Sequence, residues 1–134
     1  MAVQAAMEGA PIDGLVLLAA PAEWTVFAGS PAEGLARITD RSGMVVAPEV
    51  LEDPRPWADE FRVVEARSSI AEVDLPVLIV HASDDDVVPV AHALILGRRA
   101  PRADVVVLDG AEHQLRRRSD VVPLVLDWLG DTFR

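Results

Sequence analysis

Leu75-Pro-Val-Leu-Ile-Val-His-Ala-Ser-Asp-Asp-Asp-Val-Val-Pro-Val90 carries an apolar run straight into three consecutive carboxylates and out again through valine and proline. A short apolar run rich in branched residues and bounded by turn formers predicts a strand buried on both faces, as parallel sheets require. Gly14-Leu-Val-Leu-Leu-Ala-Ala20, closed by Pro21, and Ala103-Asp-Val-Val-Val-Leu108 read the same way. Helical patterns follow these runs. Pro89 to Arg99 starts with proline at a first-turn position and is expected to place Leu94 and Ile95 on one side. A last helix starts at Ser119 or Asp120 and carries Val121, Leu124, Val125, Trp128 and Leu129 at helical spacing. The alternation predicts an α/β fold, a parallel sheet of about three strands with flanking helices.

Residues 22–75 interrupt the alternation. Ser30-Pro-Ala-Glu33 is a capping-box pattern, followed by a narrow apolar side at Leu35 and Ile38. Asp53-Pro54 opens a second helix with Trp57, Phe61 and Val64 in step, and residues 43–48 between the two read as loop. Trp24, Phe27, Trp57 and Phe61 lie in this segment, either sealing a core or lining a pocket over the sheet's edge. Ala2 to Met7 reads as the tail of a helix ended by Gly9 and Pro11, so the chain begins as if inside an element.

Composition narrows the chemistry. The 134 residues have the length of one domain, and hydrophobic residues at 51% against charged ones at 25% give a globular balance. A formal net charge of −10 argues against a nucleic-acid partner. No apolar run reaches the length of a membrane span, and no basic-then-apolar leader opens the chain, so a soluble cytoplasmic protein with no membrane partner is expected. All 12 basic residues are arginine and there is no cysteine. Schiff-base lysines, thiol nucleophiles and thiolate metal sites are thereby excluded. Hydroxyl, carboxylate and imidazole chemistry remain.

Ligands of parallel sheets gather at the carboxyl ends of the strands. Asp84, Asp85 and Asp86 follow one predicted strand, and Gly110-Ala-Glu-His113 follows the next. An acid and an imidazole on neighbouring loops can meet, the acid fixing the tautomer so that the far ring nitrogen serves as general base. The acids read equally as a turn before a helix, whose N-terminus favours negative charge. A hard divalent ion held by Asp84 to Asp86 with His81 or His113 is a further option, opposed by the divergent directions of adjacent side chains. His81 is expected to be a packed or hydrogen-bonded core residue and His92 to face solvent from its helix. Arg116, Arg117 and Arg118 read as a solvated junction or as an attractor for an anionic substrate.

Taken together, LPVLIVHASDDDVVP, DVVVLDGAEHQL and the terminal VLDWLGD resemble the C-terminal half of an α/β-hydrolase. In that family the catalytic acid follows the penultimate strand in a pattern like Gly-x-x-Asp-x-x-Val-Pro, and the histidine follows the last strand in Gly-x-x-His. The resemblance implies Asp85, four residues before Pro89, as catalytic acid and His113 as catalytic base. Ala82 stands where the family has glycine. GLVLLAAPAEW resembles the strand after the nucleophile helix, and residues 22–75 correspond to the variable lid, giving one partial hydrolase domain over 1–134.

The family's nucleophile elbow, Gly-x-Ser-x-Gly, belongs upstream of the strand at Gly14, and the chain contains no such motif. Ser30 and Ser42 both lack the flanking glycines and lie after that strand. The resemblance therefore implies the C-terminal portion of a serine hydrolase acting on a small-molecule ester or amide without cofactor or metal, truncated before its nucleophile and inactive alone. The alternative is a non-catalytic α/β binding or assembly domain that self-associates through the open edge of the strand at 14–20.

Overall fold

The computed structural model describes residues 2–23, 30–42, 45–57, 59, 69–110 and 113–134, without the side chains of residues 31, 37, 38 and 40–42. The expected positions of Trp24, Phe27, Phe61 and Val64, and of the Ile38 side chain, lie outside the described residues. Three strands, β1 (Leu15–Leu18), β2 (Val77–Ala82) and β3 (Ala103–Leu108), form one parallel sheet in the order β1-β2-β3. Leu15 pairs with Val77 in register, and Val77 with Ala103. Among the described residues the helices with given bounds are α1 (Ala2–Met7), α2 (Pro31–Ser42), α3 (Pro48–Glu52), α4 (Ala91–Arg99) and α5 (Val121–Thr132).

Every residue of β2 is buried, as its apolar run predicts. Burial of Val77, Leu78, Ile79 and Val80 contributes about 1.5–3 kcal/mol per side chain, an upper bound against a compact unfolded chain. The flanking strands depart from expectation. Leu18 of β1 is 39% exposed, and Val105 and Val107 of β3 are 37% and 41% exposed. Among the described residues each of these strands has a sheet neighbour on one side, so the same composition yields half-buried strands there.

Alternation along β2 divides the core. Leu15, Leu17, Val77 and Ile79 pack with Val3 of α1, Ala93 and Leu96 of α4, and Ile70 and Val73 of the 3-10 turn leading into β2. Leu78, Val80 and Ala82 face the other way, against Val121, Leu124, Val125 and Trp128 of α5. The Trp128 Nε1–H donates to Asp104 Oδ2 at 2.8 Å, fastening α5 to β3. Leu129, expected on the same side, is 37% exposed. The buried side of α4 is His92, Ala93 and Leu96, and Leu94 points outward. Gly97 lets α4 approach β3 closely, because a Cβ there would stand 2.3 Å from Val105 Cγ2.

The capping box forms as its residues require: the Ser30 N–H donates to Glu33 Oε2 at 2.9 Å, and the Glu33 N–H to Ser30 Oγ at 3.2 Å. Residues 55–57 are helical behind Asp53, whose Oδ1 accepts the Arg55 N–H at 3.1 Å. Of the stretch expected as loop, residues 43 and 44 lie outside the described residues, and its last residue, Pro48, instead opens α3 at the first helical position. Because all three strands run parallel, their carboxyl ends share one rim. Ala19, just past β1 on that rim, has φ 48°, the left-handed region that a residue with a Cβ occupies only at a cost. Among the described residues no helix is long and apolar enough to cross a membrane.

Candidate active site

The loop after β2 folds back on its own middle carboxylate. Asp85 Oδ1 accepts the Val87 N–H at 2.9 Å and the Val88 N–H at 2.8 Å, which turns the chain toward α4 and buries the side chain completely. Its neighbours in the acidic triplet, Asp84 and Asp86, are exposed. Adjacent side chains on a tight turn diverge, so one of three acids enters the protein and two stay in water. Trp57 and Val87 pack around Val88, placing an aromatic ring of the 22–75 segment against the acid loop.

The loop after β3 brings His113 to the same rim. Its Nδ1 lies 2.9 Å from Asp85 Oδ2. A carboxylate only accepts, so Nδ1 carries the proton and Nε2 presents a lone pair. The His113 side chain is 21% exposed, and among the described residues nothing is bonded to Nε2. Ser83 tethers the two loops: its Oγ accepts the Gly110 N–H at 3.3 Å and donates to Asp84 Oδ1 at 3.1 Å. Gly110, at φ 59°, supplies the left-handed turn that ends β3 and starts the His113 loop.

Burial by itself would raise the Asp85 pKa. Hydrogen bonds from His113, His81 and the Val88 and Val87 amides outweigh it and hold the carboxyl well below the usual carboxylate range. An acid ionised at neutral pH beside an imidazole orients the ring and stabilises its charged form when Nε2 takes a proton.

His81 sits where the strand pattern puts it, inside the sheet at 0% exposure, with Nε2 2.8 Å from the Val88 carbonyl oxygen. His92 contradicts its expected solvent-facing place. It is 4% exposed, and its Nδ1 accepts the Ala22 N–H at 3.1 Å, joining α4 to the loop after β1. Burial, opposed by nearby Glu23, lowers the His92 pKa. The readable signal was its i, i+4 spacing with Leu96, which puts both on the sheet side of α4. Arg116 and Arg117 are exposed in a 3-10 turn, and Arg118 pairs with Asp120 and donates to the Asp109 carbonyl, the arrangement of a solvated junction. Among the described residues no group of three or more His, Asp or Glu side chains could hold a metal ion.

No protein-family model and no curated protein matches the chain. Solved structures do. An α/β-hydrolase enzyme from a lagoon-sediment metagenome of Mar Chica, Morocco, superposes with a TM-score of 0.70 at 17% identity, over 97% of this chain and 56% of its own. A meta-cleavage product hydrolase from Pseudomonas fluorescens IP01 gives 0.66 at 21% identity, over 97% and 60%. A monoacylglycerol lipase from Paleococcus ferrophilus gives 0.63 at 17% identity, over 98% and 64%. The chain thus has a partial α/β-hydrolase fold, spanning about three fifths of the length of the structures it resembles.

Proposed function

We propose that the chain supplies the acid and base of an α/β-hydrolase-type serine hydrolase that cleaves an ester or amide of a small molecule through an acyl-enzyme. The observation that carries this reading is the 2.9 Å contact between Asp85 Oδ2 and His113 Nδ1, with the acid fixed by two amides and Nε2 left open. A serine hydroxyl contributed from outside these residues attacks the carbonyl while His113 Nε2 takes its proton. The resulting imidazolium, held by Asp85, returns that proton to the departing alcohol or amine. Water then repeats the sequence on the acyl-enzyme, giving its proton to Nε2, and the serine recovers a proton as the acid is released. Residues 22–75 act as the lid, with Trp57 resting on the acid loop. No cofactor or metal enters this chemistry.

The serine on the rim, Ser83, is engaged with Gly110 and Asp84, and lacks the elbow that would expose its oxygen. The 134 residues alone are accordingly expected to resist labelling by a fluorophosphonate probe. The test is to extend the chain upstream with its own coding sequence and assay a small activated ester. Turnover abolished by His113→Ala supports the reading. An in-frame stop directly before Met1, or an extended chain whose turnover survives His113→Ala, overturns it.

A second reading rests on β1, whose outer edge has no strand beside it among the described residues. Such an edge recruits another strand. A concentration-dependent dimer of the 134 residues, abolished by a proline at Val16, would favour an assembly domain.

A further inference from the structure

His81 is completely buried on the central strand, and the proposed reaction gives it no step. Its Nε2 lies 2.8 Å from the Val88 carbonyl oxygen, which can only accept, so Nε2 carries the ring proton. The same nitrogen is 3.4 Å from Asp85 Oδ2, the oxygen that holds His113. The other ring nitrogen, Nδ1, is buried with no hydrogen-bond partner among the described residues. Leaving a buried acceptor unmatched is destabilising, and an apolar side chain at this core position would avoid that cost. Leu78, Ile79 and Val80 show what the strand otherwise uses. Among the described residues, the polar contacts of His81, to the Val88 carbonyl and to Asp85 Oδ2, are both directed at the acid loop.

We infer that His81 is a positioning residue: its Nε2–H, shared between the Val88 carbonyl and Asp85 Oδ2, fixes the acid loop so that Oδ2 stays aligned with His113 Nδ1. The loop is then held at two points. Val87 and Val88 amides clamp Oδ1 from above, and the imidazole supports the Val88 carbonyl and Oδ2 from the strand below. The hydrogen bond from His81 is also among the causes that keep Asp85 ionised. With the support gone, the Val88 carbonyl would be unmatched and the loop free to rotate Oδ2 away from His113. This inference deepens the acid–base reading and rests on it, but it is tested without turnover, so failure of the ester assay and failure of the positioning role are separate results.

The experiment is 15N-edited NMR of the histidine rings in the full 134-residue chain. His81→Phe keeps the ring volume and removes the donor, while His81→Gln restores an N–H at comparable reach. In His81→Phe, solvent exchange of the His113 Nδ1–H is expected to quicken about tenfold, the scale of one hydrogen bond's net contribution. His81→Gln is expected to return it toward the native rate. A His81→Phe chain that is less stable yet keeps the native His113 proton would reduce His81 to packing and overturn the inference, as would a Gln variant that restores nothing. Should the Phe variant not fold, the unaltered chain decides: a slowly exchanging Nε2–H on His81 coupled to the Val88 carbonyl supports the role, and an Nδ1–H tautomer ends it.

Discussion

Asp85→Asn separates charge from shape at the rim. The amide is nearly the same size, and its oxygen still accepts from the Val87 and Val88 N–H groups. Its other atom becomes an NH2 opposite the His113 Nδ1–H and near the His81 Nε2–H, so donors face donors. Hydrogen bonds to charged acceptors contribute about 1.5–3 kcal/mol and neutral ones about 0.5–1.5. Two bonds weakened and one lost amount to roughly 4 kcal/mol. The amide escapes the desolvation that opposes a buried carboxylate, which offsets about half and leaves a net loss of ~2 kcal/mol at neutral pH. The sign of the pH dependence follows from the lowered Asp85 pKa. A carboxyl whose folded pKa lies below its unfolded value of about 3.9 stabilises fully above that value and loses its contribution as pH falls through the folded one. Urea unfolding of both proteins should show a gap of ~2 kcal/mol at neutral pH that narrows below about pH 4. Asp53 and Asp120 also have lowered pKa values, but they are common to both proteins and cancel in the difference. A gap that stays constant from about pH 6 to about pH 2 would refute the charged, hydrogen-bonded acid.

Other substitutions and one reagent probe separate parts of the structure. His92→Ala should cost about 2 kcal/mol or more by thermal unfolding, because it strands the buried Ala22 N–H, and His92→Asn should recover part of the loss by placing an oxygen near the Nδ1 position. The native chain should also lose stability as pH falls below about 6.5, since a histidine with a depressed folded pKa contributes fully above its unfolded value and less below it; His92→Asn should flatten that slope. Diethyl pyrocarbonate should modify His113 at its open Nε2 before the buried His81 and His92, read by mass spectrometry of peptides. Gly97→Ala gains about 0.8–1 kcal/mol of helix propensity but drives a Cβ into Val105, an overpacking worth about 1–3, so a net loss is expected that Val105→Ala in the same chain relieves.

The parts of the molecule that the sequence reveals are those written in uninterrupted local patterns. The apolar run of β2 and the Ser30–Glu33 capping box are of this kind, and both form as read. The meeting of an acid of the triplet with His113 is a longer inference, legible because a parallel sheet sends both following loops to one rim, while the choice of Asp85 among the three came from the resemblance to the hydrolase acid motif. Partial exposure of β3 was hidden, because the burial of Val105 and Val107 depends on what lies beside the strand and not on their own character. Helix α3 has five residues, too few for a periodic signal. Polar residues with internal partners were the hardest. The spacing of His92 with Leu96 signals a buried face but not its partner, the Ala22 amide far back in the chain, and the attachment of His81 to Val88 requires knowing how the acid loop turns. Trp57 against Val88 joins residues far apart in the chain, beyond any local pattern.

The claim on which the rest depends is that Asp85 fixes the His113 ring with its proton on Nδ1 and its lone pair on Nε2. Long-range 15N–1H correlation of the His113 imidazole in the native chain reads this directly. The account predicts an Nδ1–H tautomer whose proton resonates far downfield and returns to the position of an unbonded ring in Asp85→Asn. An Nε2–H tautomer in the native chain, or an Nδ1–H resonance indifferent to the loss of the carboxylate, would contradict it.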